Sequence, residues 1–125
     1  MGIRWDRVRR WSASLGVGVM LAAMAGHADA LTRPLEVYFI DVEGGAATLT
    51  VLPNGESVLV DSGWPGNGGR DARRIEHVAR YVLGLRAIDH FVCTHWHTDH
   101  YGGTEDLARL MPILNYWDRG IPEQA

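Results

Sequence analysis

Residues 88–103 read IDHFVCTHWHTDHYGG. The first seven, 88–94, form a short apolar run whose composition predicts a strand. It leads straight into His95, His97, Asp99 and His100, so three of the chain's six histidines and an aspartate fall between positions 95 and 100. A packed core would have to pair or hydrate each of those groups, and a solvated loop has no need of them. The cluster therefore predicts a bound ion. Residues i and i+2 of an extended segment point to the same side, which puts the imidazoles of His95 and His97 on one ion and turns Trp96 away. Asp99 and His100, after a bend, supply an oxygen and a nitrogen to a second ion beside the first. Gly102 and Gly103 leave the backbone free to turn sharply close to the metals. Imidazole with carboxylate suits zinc best, and iron and manganese accept the same donors.

Upstream of this stretch, residues 35–42 (LEVYFIDV) predict a strand that Glu43-Gly44-Gly45 breaks, and residues 46–52 (AATLTVL) predict a second. Pro53-Asn54-Gly55 is a hairpin signal, because Asn and Gly tolerate positive φ, and residues 57–61 (SVLVD) complete a three-stranded meander. The glycine-rich loop at 62–70 gives way at Asp71 to a helical period, with Ile75, Val78, Ala79 and Val82 on one apolar face and Gly84 at the helix end. Downstream of the cluster, Thr104 reads as a helix N-cap, with Glu105 and Asp106 in the first turn. That helix stops at or before Met111 because Pro112 follows, and the tail from Ile113 begins one more strand. The order β-β-β-α-β-site-α-β predicts an α/β layer structure with the cluster beyond the carboxyl end of a strand, where ligand sites of such sheets gather.

The chain has 125 residues, 46% hydrophobic and 22% charged, the composition of one small globular domain. Residues 1–30 predict a secretory signal peptide: four arginines, an apolar stretch shorter than the roughly 20 residues of a spanning helix, and Ala28-Asp29-Ala30 before a cleavage at Leu31. The expected location is therefore exported, periplasmic or secreted, with no stable membrane span after cleavage. Residues 31–125 carry eight arginines against thirteen acids, a charge of −5, which leaves no nucleic-acid patch. The one cysteine, Cys93, has no partner for an internal disulfide, so packing or metal must hold the domain.

His95-x-His97-x-Asp99-His100 with Gly102-Gly103 resembles the signature of the metallo-β-lactamase superfamily of metal-dependent hydrolases. VLVDSG at 58–63 is similar to that family's strand-end aspartate motif, and VYFIDVEGGAATL at 37–49 resembles the opening strands of its competence-protein-related branch. Glu43-Gly44-Gly45-Ala46 departs from that branch, which carries Gln and Asp in this loop. The resemblance implies an αββα sandwich, of which residues 31–125 supply the amino-terminal half. It implies that His95 and His97 ligate one zinc and that Asp99 and His100 ligate a second, with Asp99 also the catalytic residue. Asp61 becomes a residue that orients the site without ligating. The implied activity is hydrolysis of a small-molecule, ester or phosphodiester substrate by metal-bound hydroxide. The family's further ligands come from regions beyond this chain, so the expectation is a fragment, with a non-catalytic zinc-binding remnant as the alternative.

Other residues read more plainly. His77 and His90 are expected on surfaces, Cys93 as a small buried apolar residue, and Trp117 as packing, while Trp64 and Trp96 are candidates for a pocket wall.

Overall fold

A computed structural model describes residues 33–120; the expected signal peptide lies outside the described residues. Five strands form one sheet in the order β1 (Glu36–Phe39), β2 (Thr48–Val51), β3 (Ser57–Val60), β4 (Ile88–Val92) and β5 (Ile113–Trp117). The first three are antiparallel, and β4 and β5 join them in parallel. The predicted meander and both later strands are present, each shorter than its apolar run.

The β2–β3 turn corrects one expectation. Leu52 and Glu56 close it, with Leu52 N–H donating to the Glu56 carbonyl at 2.8 Å, and only Gly55 takes a positive φ, of 90°. Asn54 is absent from the left-handed region; its side chain instead accepts from the Glu56 N–H at 3.0 Å. A three-residue loop with glycine last matches the right-handed strand twist without asking Asn for strain.

Helix α1 (Arg70–His77) connects β3 to β4 and runs into a π-helical turn, Val78–Val82. That turn explains a second correction. Leu83 N–H reaches back five residues to the Val78 carbonyl, so the helix period is broken and Val82, expected on the apolar face, is 57% exposed. Ala72, Ile75 and Ala79 form the buried stripe, and Leu83 packs against the core in place of Val82. Gly84 ends the element as predicted, at φ 70°, with Leu85 N–H bonded to the Ala79 carbonyl.

Helices α2 (Thr98–Tyr101) and α3 (Thr104–Leu110) lie between β4 and β5. Thr104 is not the N-cap of α3. Gly103 holds that position and accepts from Leu107 N–H, while the Thr104 hydroxyl donates to the Tyr101 carbonyl at 2.6 Å. The stop before Pro112 holds, since Met111 is extended at φ −150°.

Strand register sorts the two faces. Tyr38, Leu49, Leu59, Phe91 and Tyr116 are cross-strand neighbours on one face, and Leu49, Leu59 and Phe91 join Ile75, Ala79, Leu107 and Met111 of the helices in the core. Phe39, Thr48, Val60, Val92 and Trp117 form a row on the other face, which no helix among the described residues covers. Because β3 and β4 are parallel, their carboxyl ends open on the same rim. Asp61 and the 93–103 loop, far apart in sequence, meet there.

Candidate metal centre

The rim is organised around Asp61. This residue follows β3, is 2% exposed, and sits at φ 59°, a conformation uncommon for any side chain but glycine. Its carboxylate has three donors. Thr94 N–H reaches Oδ1 at 2.9 Å, the Thr94 hydroxyl reaches Oδ2 at 2.7 Å, and His100 Nδ1 stands 2.7 Å from Oδ2.

These contacts assign the tautomers. A carboxylate accepts only, so His100 carries a proton on Nδ1, and in the neutral ring the lone pair is then on Nε2. The Thr94 proton is already given to Asp61, so the hydroxyl, 3.0 Å from His95 Nδ1, accepts from that nitrogen. In the neutral His95 ring the lone pair is then likewise on Nε2. One buried carboxylate thus prepares two imidazoles to ligate through Nε2.

The structure brings the other predicted residues to the same patch. The His95 ring lies 4.5 Å from that of His97 and 3.9 Å from that of His100, centre to centre. His100 Nε2 faces Asp99 Oδ2 at 3.7 Å. Two donors on a common tetrahedral zinc, each at about 2.0–2.1 Å, stand roughly 3.3 Å apart, so a small adjustment seats an ion between Asp99 and His100. The donor set therefore fits a zinc-type ion. Even so, among the described residues no three His, Cys, Asp or Glu side chains already converge into an ion cage. The geometry is a grouped and oriented set of donors with the ligand shell still open.

The turning of the loop also has a different cause from the one expected. His97 is extended at φ −82° and starts α2, which carries Asp99 and His100 on a single helical turn. Gly102 and Gly103 both have negative φ, so the glycines are not needed for turning. They are needed for space: a Cβ on Gly102 would meet Pro65 and the Thr98 carbonyl, and one on Gly103 would meet the Ser62 carbonyl oxygen. Ser62 N–H donates to the His100 carbonyl at 2.6 Å, and Gly103 N–H donates to that of Gly63 at 3.1 Å. The ligand loop is thus sewn to the loop after β3.

Three partners escaped the reading of the sequence. Thr94 and Ser62 each sit beside a residue that was recognised, and adjacency to a strand-end acid or a ligand histidine was the available signal. Asp71 gave the signal of a first-turn helical acid, yet it is 1% exposed and accepts from Trp64 N–H at 2.9 Å.

Of the remaining residues, Cys93 is buried in the core, and its thiol donates to the His95 carbonyl at 3.2 Å. Burial, reinforced by the Asp61 carboxylate, pushes that thiol above its ordinary pKa and keeps it protonated. Trp96 turns from the cluster as expected, donating from Nε1 to the Gly120 carbonyl at 2.8 Å. Trp117 is not packing: it is 56% exposed and stands beside His90 on the open sheet face. Trp96, Tyr101, Tyr116 and Trp117 line a small apolar cleft behind the loop.

The family model described as the metallo-beta-lactamase superfamily matches residues 40–121. The chain belongs to that superfamily. Its mixed sheet with helices on one face is one β-plus-α half of the superfamily's αββα arrangement. Among curated proteins, the atrochrysone carboxyl ACP thioesterase of Pseudocercospora fijiensis is 36% identical over 72 residues, 56% of this chain and 20% of that protein. Lactamase-like protein notP of an Aspergillus species is 34% identical over 71 residues, 57% of this chain and 21% of that protein. The chain therefore spans about a fifth of the length of these two curated relatives. No solved structure gives a significant match. Among the described residues, no helix is long and apolar enough to cross a membrane.

Proposed function

We propose that this superfamily member is part of an exported, zinc-dependent hydrolase acting on small acyl esters or thioesters. The observation that carries the reading is the pairing of His100 with Asp61 while its Nε2 faces Asp99 at 3.7 Å. A histidine oriented by a buried carboxylate and aimed at a second ligand-type oxygen is what a metal centre needs and a packed core does not.

His95 and His97 would hold one ion, and Asp99 and His100 a second. When bound, zinc supplies Lewis acidity and brings a water to a pKa of about 7, so that hydroxide is available near neutrality. Asp61 and Thr94 keep the ring protons of His95 and His100 away from the ion. Asp99, the only acid in the cluster, is placed to accept a proton or to ligate. The ester and thioester class is supported by the thioesterase among the relatives. A phosphodiester substrate, and placement near the competence-protein-related branch, has the likeness of residues 37–49 in its favour and the departure at Glu43 to Ala46 against it. Export is proposed from residues 1–30 and is tested by amino-terminal sequencing of the secreted product, with Leu31 expected first.

The open ligand shell favours a second reading, a zinc-binding remnant without turnover. Elemental analysis and hydrolysis separate the two. Stoichiometric zinc with cleavage of an acyl thioester or an aryl ester supports the enzyme. Stoichiometric zinc without cleavage of these, of nitrocefin or of a bis-aryl phosphate supports the remnant. His97→Ala is expected to lower zinc content in either case, and a variant that holds as much zinc as the parent removes His97 from the ligand set.

A further inference from the structure

Two loops support the backbone of the Asp99 and His100 pair. In the 43–46 loop, Ala46 N–H donates to the Asp99 carbonyl at 3.1 Å. Gly45 packs so closely there that a Cβ would run into the Asp99 carbonyl oxygen and lie 3.3 Å from Trp64 Nε1. In the 61–64 loop, Asp61 holds the His100 ring and Ser62 N–H holds its carbonyl. The loops are joined by Gly63 N–H donating to the Ala46 carbonyl at 2.9 Å. Each contains a non-glycine residue in the left-handed region, Glu43 at φ 52° and Asp61 at φ 59°. Such conformations cost free energy and persist only where the surroundings over-determine them.

Arg70, the first residue of α1, supplies that restraint. Its Nη1 donates to Glu43 Oε2 at 2.7 Å and its Nε to Asp71 Oδ1 at 2.6 Å. Asp71 is buried, and its other oxygen holds the Trp64 N–H. An exposed ion pair alone would count for little, but this guanidinium forks between two carboxylates, one of them out of water. Arg74 also reaches Glu43, at 3.1 Å, and Asp41, at 3.2 Å, but forms no ion pair with Asp71.

We infer that Arg70 is a positioning residue for the metal centre: it ties the loop that touches Asp99 to the carboxylate that anchors the loop holding His100. The inference rests on the metal reading above and deepens it. In the full chain, Arg70→Gln is expected to weaken cobalt(II) binding by about tenfold or more and to alter the cobalt d–d spectrum, with the far-UV circular dichroism unchanged. The amides of Ala46 and Trp64 should exchange their hydrogens at least about tenfold faster in Arg70→Gln even without metal, because Arg70 holds Glu43 of the loop that carries the Ala46 N–H and holds the Asp71 carboxylate that accepts from the Trp64 N–H. Arg70→Lys restores a charge but not the fork and should fall between, and it serves where Arg70→Gln does not fold. Arg73→Gln, whose side chain among the described residues bonds the Gly68 carbonyl and neither Glu43 nor Asp71, should match the parent. Parent-like exchange at Ala46 and Trp64 in Arg70→Gln overturns the inference, as does an equal acceleration in Arg73→Gln. A parent chain that binds no cobalt sinks the metal reading instead, and the exchange comparison still decides the role of Arg70.

Discussion

Asp61 combines a costly backbone conformation, nearly complete burial and three converging donors. Its charge sets the direction of every proton in the Thr94, His95 and His100 group. Asp61→Asn tests this, because Asn tolerates the left-handed region and still offers an oxygen to Thr94 N–H. Its NH₂ would replace the oxygen facing the Thr94 hydroxyl and His100 Nδ1. The hydroxyl would then turn to donate toward His95, and both rings would have to move their protons to Nε2, the nitrogen an ion needs. We expect zinc affinity to fall about 10- to 100-fold. The stability cost should be about 1–3 kcal/mol, that of one mismatched buried donor. Competition with a chelating dye and urea unfolding measure the two. Undiminished zinc affinity in Asp61→Asn would show that the carboxylate does not set the rings.

At the scale of elements, the signature Gly102-Gly103 was legible, but its cause was not. Sequence gives residue type and spacing, and from these a glycine pair beside ligands reads as a flexible turn. Only the assembled structure places the Ser62 carbonyl where a Gly103 Cβ would go. Gly103→Ala is therefore expected to destabilise, by about 1–3 kcal/mol, although alanine suits a helical backbone better than glycine. Equal or higher stability of this variant in denaturant would mean that the two loops separate freely. The same limit explains Val82 and Thr104. Helical period predicted Ile75 correctly because it precedes the π-helical turn, and Ala79 because it stands at the start of that turn, and it failed for Val82 because the i→i+5 bond from Leu83 to Val78 has shifted the phase by the turn's end. Thr104 had the chemistry of an N-cap, but the Tyr101 carbonyl competed for its hydroxyl. The strands and the His95 to His100 cluster were readable because strand composition, turn signals and ligand spacing are local. The partnership of Asp61 with His100 depends on two parallel strands ending at one rim, which no local pattern encodes.

For the whole molecule, the consequence of a sheet with helices on one face is the state of the other. Val37, Phe39, Val58, Val60, Val92 and Trp117 share that face by register, and Phe39 is 85% exposed. Thr48, Thr50, His90 and Asn115 share the face and interrupt the apolar surface in part. A contiguous patch of this kind is a driving force for association, since covering it removes apolar surface from water at roughly 25 cal/mol per Å². The edges add to it: among the described residues β1 and β5 each have an unpaired side, and neither strand carries a lysine or a proline that would discourage pairing. The purified chain is therefore expected to self-associate with increasing concentration and to bind a hydrophobic dye. Phe39→Lys places a charge at the most exposed point of the patch without touching the core or the rim of Asp61. It should shift sedimentation toward monomer and lower dye binding while leaving zinc uptake as in the parent. A parent chain that sediments as a monomer at all concentrations, or a Phe39→Lys variant that associates equally, would mean that this face is not what draws copies together.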